Sequence, residues 1–379
     1  MPINVTKYFW KIYVEFTTRI YDIPPRMLGF LSFIILATIP LMLDPTKLDF
    51  LIIANIFAIL AASWDLLVGR TGQISLGHAI FYAIGGYSTA LLYMYFKWPL
   101  WLTIPLSLLV GAISAFVIGL PCLRVKGPYL ALLTFALPFS VKGFIYYYSD
   151  IFGGDAGIPP IPDKLYEFFP MLSGDQKVIA NYYLSLGLMA ISAIILYKIA
   201  TSKTGLTFVS ILDDELASKA CGINVTKYKL MAFIISGMFG SLAGTIYAHM
   251  IQHRVDPLFL DVTYSVYPII ATIIGGIGTI YGPIAGAYIY CFLDRYLFQY
   301  VIPYITIPLG DHSIRIPLGD KDVRMLLFAA IVVFLIIKWP RGIARAIVEK
   351  LEDLQEPREI EEIEKERKFK SSGVAHAPA

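Results

Sequence analysis

Gly69-Arg70-Thr71-Gly72-Gln73-Ile74-Ser75-Leu76-Gly77-His78-Ala79 is a polar, glycine-dense run set between two apolar segments of membrane length. Hydrocarbon offers no partner to an exposed N–H or C=O. Non-helical backbone here must therefore lie at an interface, pack inside protein or line a watery path. Two readings are open. One is a tight turn between two helices. The other has Gln73, Ser75 and His78 facing a pathway through the membrane. Both require the flanking runs to be membrane helices, and that requirement decides the fold.

Outward from this stretch the composition agrees. Of 379 residues, 57% are hydrophobic and only 16% charged, and the mean hydropathy is +0.67, far above a soluble domain's apolar share. Membrane-length runs occupy residues 28–43, 51–68, 74–95, 101–120, 128–148, 180–200, 230–251, 264–280, 283–302 and 325–339. A crossing helix needs about 20 apolar residues, so the shortest of these must tilt or break. The expectation is an all-α integral membrane protein with about ten transmembrane helices.

Lys and Arg set the orientation. Threading ten alternating spans with the C-terminus inside gathers Lys7, Arg19, Arg70, Arg124, Lys203, Lys219, Lys227, Lys338 and Arg341 on one face. The opposite loops carry few unopposed cations, and the long outer loop 149–179 sets Lys164 and Lys177 against five acidic residues. Both termini are expected in the cytoplasm. Residues 1–26 mix Trp10, Tyr13 and Phe16 with charges and suggest an interfacial segment rather than a cleavable signal. Residues 27–342 form the membrane domain. Residues 343–379 form a charged cytoplasmic tail that frays into disorder beyond 370.

Several chemistries find no motif. There is no G-x-x-x-x-G-K-[ST] loop, so the chain is no P-loop ATPase. Cys122, Cys221 and Cys291 show no paired spacing. His249 and His253 are four apart, a possible metal-ligand spacing, but no third ligand follows and a solvated helix end is the simpler reading. Asp65 lies near the end of its span. Such a carboxylate is either functional or paired locally with Arg70.

Residues 201–229 form the second informative region. Asp213, Asp214 and Glu215 open a short helix at its positive end. Ala217 and Ala220 give it a small-residue face, and Gly222 suits a left-handed cap. Such a helix could dock into a partner's groove or be an ordinary loop turn. Farther on, Gly275, Gly276 and Gly278 precede Gly282-Pro283 and offer either a helix break or tight packing.

The run Asp213-Asp214-Glu215-Leu216-Ala217-Ser218-Lys219-Ala220-Cys221-Gly222-Ile223 closely resembles the coupling segment of branched-chain amino acid ABC permeases of the LivM type. Gly72-Gln73-Ile74-Ser75-Leu76-Gly77-His78-Ala79 is similar to that family's second signature. Gly153-Gly154-Asp155-Ala156-Gly157-Ile158-Pro159, Ile274-Gly275-Gly276-Ile277-Gly278 and Trp339-Pro340-Arg341-Gly342 follow in the expected order. The resemblance covers roughly residues 52–342. Ser218 and Cys221 depart from the pattern of the coupling helix, as does Asp65 where the family usually has Asn.

The resemblance implies a cell-membrane importer subunit. Its partners are a second homologous permease, two cytoplasmic ABC ATPases and an extracellular substrate-binding protein, with no nucleic acid. This chain binds no cofactor itself, ATP and magnesium belonging to the ATPases. Residues 213–223 would enter an ATPase cleft, and the outer loops 149–179 and 252–262 would receive the binding protein. The implied cargo is a branched-chain amino acid. Urea, amides or sugars on the same machinery, or a stand-alone transporter, are the alternatives. Intramembrane carboxylates for ion coupling are scarce, which weighs against the last.

Overall fold

The computed structural model describes residues 24–44, 47–125, 127–158, 174–301, 304–309, 312–317, 321–339, 342–344 and 346–348. The expected interfacial segment up to residue 23, most of the outer loop and the tail beyond 348 lie outside the described residues.

In chain order the helices are α1 (Pro24–Thr38), α2 (Asp49–Thr71), α3 (His78–Phe96), α4 (Leu100–Cys122), α5 (Pro128–Tyr147) and α6 (Gly174–Ala200). There follow α7 (Lys203–Asp213), α8 (Glu215–Ala220), α9 (Val225–Tyr247), α10 (Thr263–Gly275), α11 (Tyr281–Cys291) and α12 (Lys321–Lys338). Two helices end in π-helical turns, α9 through Ala248–Gln252 and α11 through Phe292–Val301. Each apolar run identified in the sequence contains a helix. Among the described residues six helices are long and apolar enough to cross a membrane: α2 to α6, and α9 with its extension. The others are shorter. At 13 residues α10 spans about 20 Å, against about 30 Å of hydrocarbon.

One element was not expected. Tyr304–Leu309 (β1) and His312–Pro317 (β2) pair antiparallel, Tyr304 facing Pro317 and Leu309 facing His312. Isoleucines alternate along both strands, a period of two that a search for membrane-length runs passes over.

Helix α2 is the axis of the molecule, 94% of its apolar window being buried, whereas only 22% of the corresponding window of α5 is. A helix apolar all round belongs inside a bundle, and α2 is apolar all round from Phe50 to Leu67 except for Asn55, Ser63 and Asp65. Helix α9 packs along α4, α3 and α2. Its approach to α3 is close because Gly85 lies on the Ser241 carbonyl and Gly244 on the Tyr82 carbonyl, where any Cβ would collide. We call the end of the bundle holding Thr71 and α8 basal, and the end holding Asp49 and Gly174 apical.

Candidate functional site

The basal face carries α8. Asp213 ends α7, and Asp214 is the N-cap of α8. Its Oδ1 accepts the N–H groups of Leu216 (2.8 Å) and Ala217 (2.9 Å), two donors the first turn leaves over. At the other end Ile223 N–H reaches the Ser218 carbonyl and Gly222 N–H the Lys219 carbonyl. That pattern needs a left-handed residue after the cap, and Gly222 has φ +83°. Glu215 holds Lys219 and Lys229, each at 2.8 Å, and Ser218 Oγ donates to the Ser210 carbonyl at 2.9 Å. These contacts fasten one side of α8. The other side shows Leu216, Ala217 and Ala220 to solvent; a Leu 76% exposed beside two alanines forms a smooth apolar knob.

From α7 a contact leads inward, since the Leu212 side chain lies over Gly72, which ends α2 at φ +70°. Beyond Gly72 the chain turns back as non-helical backbone through residue 77 and runs alongside the last turns of α2. Trp64 Nε1–H donates to the Ser75 carbonyl at 2.8 Å. Leu76 N–H reaches Thr134 Oγ1 on α5, and Ala79 N–H reaches Ser265 Oγ on α10, both at 3.0 Å. Irregular backbone at this depth is satisfied by protein, as hydrocarbon demands.

The three polar residues singled out here are buried. Gln73 donates to the Thr71 carbonyl at 3.4 Å, and Ser75 Oγ accepts Gly77 N–H. His78 Nε2 lies 3.0 Å from Ser63 Oγ. The Ser63 hydroxyl proton goes to the Leu60 carbonyl, so His78 Nε2–H is the donor to Ser63. His78 also meets Phe81 edge to face.

Asp65 is not paired with Arg70 at ion-pair distance among the described residues. Its carboxylate, fully buried, accepts Gly278 N–H at 2.6 Å and Ile280 N–H at 3.1 Å. Those donors belong to the break between α10 and α11, where Gly276 and Gly278 take positive φ and Ile280 does so without being glycine (φ +61°). Glycine surrounds this joint on every side. A Cβ on Gly69 would strike Gly278, one on Gly275 would strike Gly282, and one on Gly342 would strike Gly276. The predicted break therefore exists, and Gly275, Gly276 and Gly278 touch backbone there. Asp65 and Gly69 tie them to the end of α2, from which Gln73 and Ser75 follow in the chain.

Residues 253–262 depart from the expected outer loop. Val255, Asp256, Phe259 and Leu260 are buried, and Phe259 packs over Gly86 and stacks on Tyr82. Ile158 N–H bonds the Val255 carbonyl at 2.8 Å. Only Gln252, Arg254, Leu258 and Asp261 stay exposed within 252–262. His249 is likewise no solvated helix end: it is 1% exposed and its Nε2 sits 2.7 Å from Thr89 Oγ1. A second buried polar link passed unnoticed in the sequence. Tyr288 on α11 bonds Asn55 Oδ1, and Asn55 Nδ2 donates to Ser185 Oγ on α6 at 2.9 Å. Asn55 inside an apolar run was the signal for it.

Residues 47–336 match the family described as branched-chain amino acid transport system / permease component. The chain is 30% identical, over 267 residues, to the high-affinity branched-chain amino acid transport system permease protein LivM of Salmonella typhimurium. That match covers 65% of this chain and 63% of the relative, so this chain spans somewhat under two thirds of it. It is 25% identical to the guanosine ABC transporter permease protein NupQ of Bacillus subtilis, over 55% of this chain and 66% of that one. With the ribose import permease protein RbsC of Haemophilus influenzae it shares 26%, over 71% and 84% of the two chains. No solved structure matches.

Proposed function

Because the chain belongs to the family of branched-chain amino acid transport permease components, we propose that it is the membrane-spanning subunit of an ATP-driven importer whose cargo is a branched-chain amino acid. The observation that carries this reading is α8, a doubly capped helix fastened on one side and presenting Leu216, Ala217 and Ala220 on the other. A separate ATPase receives that knob on the cytoplasmic face, so the basal end is cytoplasmic and the apical end faces outward. The positive-inside pattern supports the same orientation. A second permease completes the pathway, and a binding protein delivers cargo at the apical end.

The wiring then follows from contacts. Closure of the ATPases moves α8, and α7 carries the displacement through Leu212 to Gly72 and the end of α2. Asp65 passes it to the glycine joint between α10 and α11. A half-length helix hinged at glycine can swing with little side-chain repacking, which suits alternating access. Gln73, Ser75 and His78, with Gly275, Gly276 and Gly278, shape and move the pathway wall in this reading. Their burial supports a role one layer behind the cargo.

Purification in mild detergent, with mass spectrometry of whatever accompanies the chain, tests the assembly; uptake of leucine, guanosine and ribose into proteoliposomes then tests the cargo. Recovery of a P-loop ATPase and a second permease, with ATP-dependent leucine uptake, is expected. Uptake of guanosine or ribose instead would move the cargo toward that of the other relatives. A homogeneous single-chain species would overturn the importer.

A further inference from the structure

At the apical end a cavity of about 320 Å³ opens between α2, α6 and the two π-helical turns. Its polar lining is Asp49, Lys177, Asn181, His253 and Arg295, and its apolar lining includes Ile52, Val178 and Met250. A volume near 300 Å³ is enough for a small molecule, and its lining surface is more polar than apolar, with charged groups set beside aliphatic ones. The charges are of both signs, which is unusual for a cavity between apolar helices. Asp49 begins α2 at the exposed rim, and Arg295 and His253 line the same cavity. Arg295 is only partly exposed and follows the helix that carries Tyr290, part of an aromatic cluster with Tyr247, Tyr264 and Tyr267.

The backbone around the cavity is irregular in three places. Met250 and Ile251 lie on one π-helical turn and Arg295 on the other. His253 takes a left-handed φ of +51°. π-Turns are rare and concentrate at functional sites, because the extra residue turns side chains off the helical register. Arg295 on one π-turn and His253 just past the other line the same cavity as Asp49.

We propose that this basin is a receiving site for a zwitterionic amino acid with an aliphatic side chain. Arg295 takes the carboxylate, Asp49 takes the ammonium group, and Ile52, Val178 and Met250 face the side chain. The site holds cargo as it leaves the binding protein and before the hinge at Gly276–Gly278 opens the way onward. This inference rests on the importer reading and adds to it a location and a chemistry for the first contact.

The test uses the complete transporter in proteoliposomes, saturated with loaded binding protein and supplied with labelled L-leucine. Uptake and ATP hydrolysis are measured together. Asp49→Asn and Arg295→Gln should each lower uptake about tenfold or more, the cost of one charge-assisted hydrogen bond. ATP hydrolysis should stay near that of the unmodified complex. Asp49→Glu should recover part of the uptake. If Arg295→Gln fails to assemble with its ATPases, Asp49→Asn and its Glu partner carry the test. Unchanged uptake overturns the basin, and so does uptake falling in step with ATP hydrolysis. An unmodified complex that moves no amino acid would overturn the importer's cargo instead, so the two failures are distinguishable.

Discussion

Asp65 serves two backbone donors more than two hundred residues away in the chain, and no other described side chain ties α2 to the α10–α11 break in this way. A buried carboxylate is costly unless its hydrogen bonds are good, and both of these come from N–H groups with no helical partner. Asp65→Ala leaves Gly278 and Ile280 unsatisfied and should cost about 3 kcal/mol, seen as a lower melting temperature of the assembled transporter. Asp65→Asn keeps one acceptor oxygen and should fall between. An alanine variant that melts with the unmodified protein would show the joint to be held by packing alone. Gly342→Ala probes the same joint from the other side, since its Cβ would enter the Gly276 backbone. It should depress ATP-driven uptake even though position 342 touches no cargo in the proposed mechanism.

At the scale of the element, α8 is too short to persist on its own propensity. Six residues stay helical because Asp214 satisfies the first turn, Gly222 closes the last, and Glu215 clamps Lys219 and Lys229. Losing the Asp214 cap costs about 1 kcal/mol. Gly222→Pro does more, since proline fixes φ near −65° and removes the N–H that meets Lys219. Gly222→Pro, or Lys at positions 213, 214 and 215 together, should abolish ATP-driven uptake while the chain still inserts. Uptake at the unmodified rate in both would remove α8 from the coupling path. Leu216→Asp is a gentler probe: it leaves the caps intact and should weaken recovery of the ATPase in a pull-down.

At the scale of the molecule, the exposed apolar faces of α4, α5 and α6 contrast with the buried axis of α2. In a bilayer such faces meet lipid or another permease. Polar substitution at one of them separates the two: Phe139→Ser on α5 should leave complex recovery unchanged if that face meets lipid. Loss of the second permease from the purified complex would place the partner there. How much of this was legible in the sequence differs by region. Among the described residues the six helices long enough to cross all lie in apolar runs read from the sequence, which named four further runs whose helices are shorter. The composition of 201–229 announced α8 and its Gly222 cap, although Asp213 ends α7 rather than opening α8. The plunge of residues 253–262 into the core was not legible, because an aspartate and an arginine between spans read as an outer loop. Nor was the β1–β2 hairpin, whose two-residue period is drowned by the longer apolar runs beside it.

The sequence by itself determined the class of the protein, its apolar helical segments, where its cations cluster and the short helix α8, because each rests on residues close together in the chain. Hydropathy, charge asymmetry and helix capping all act over at most one or two helical turns or one span. Only the tertiary structure decided what Asp65 bonds to, that residues 72–77 lie against α2 rather than in water, and that glycines 69, 276, 278 and 342 meet at one joint. It alone placed Asp49 and Arg295 on the same cavity, because such pairings depend on how helices cross. Crossing is set by close packing among side chains far apart in the chain, which local periodicity does not encode.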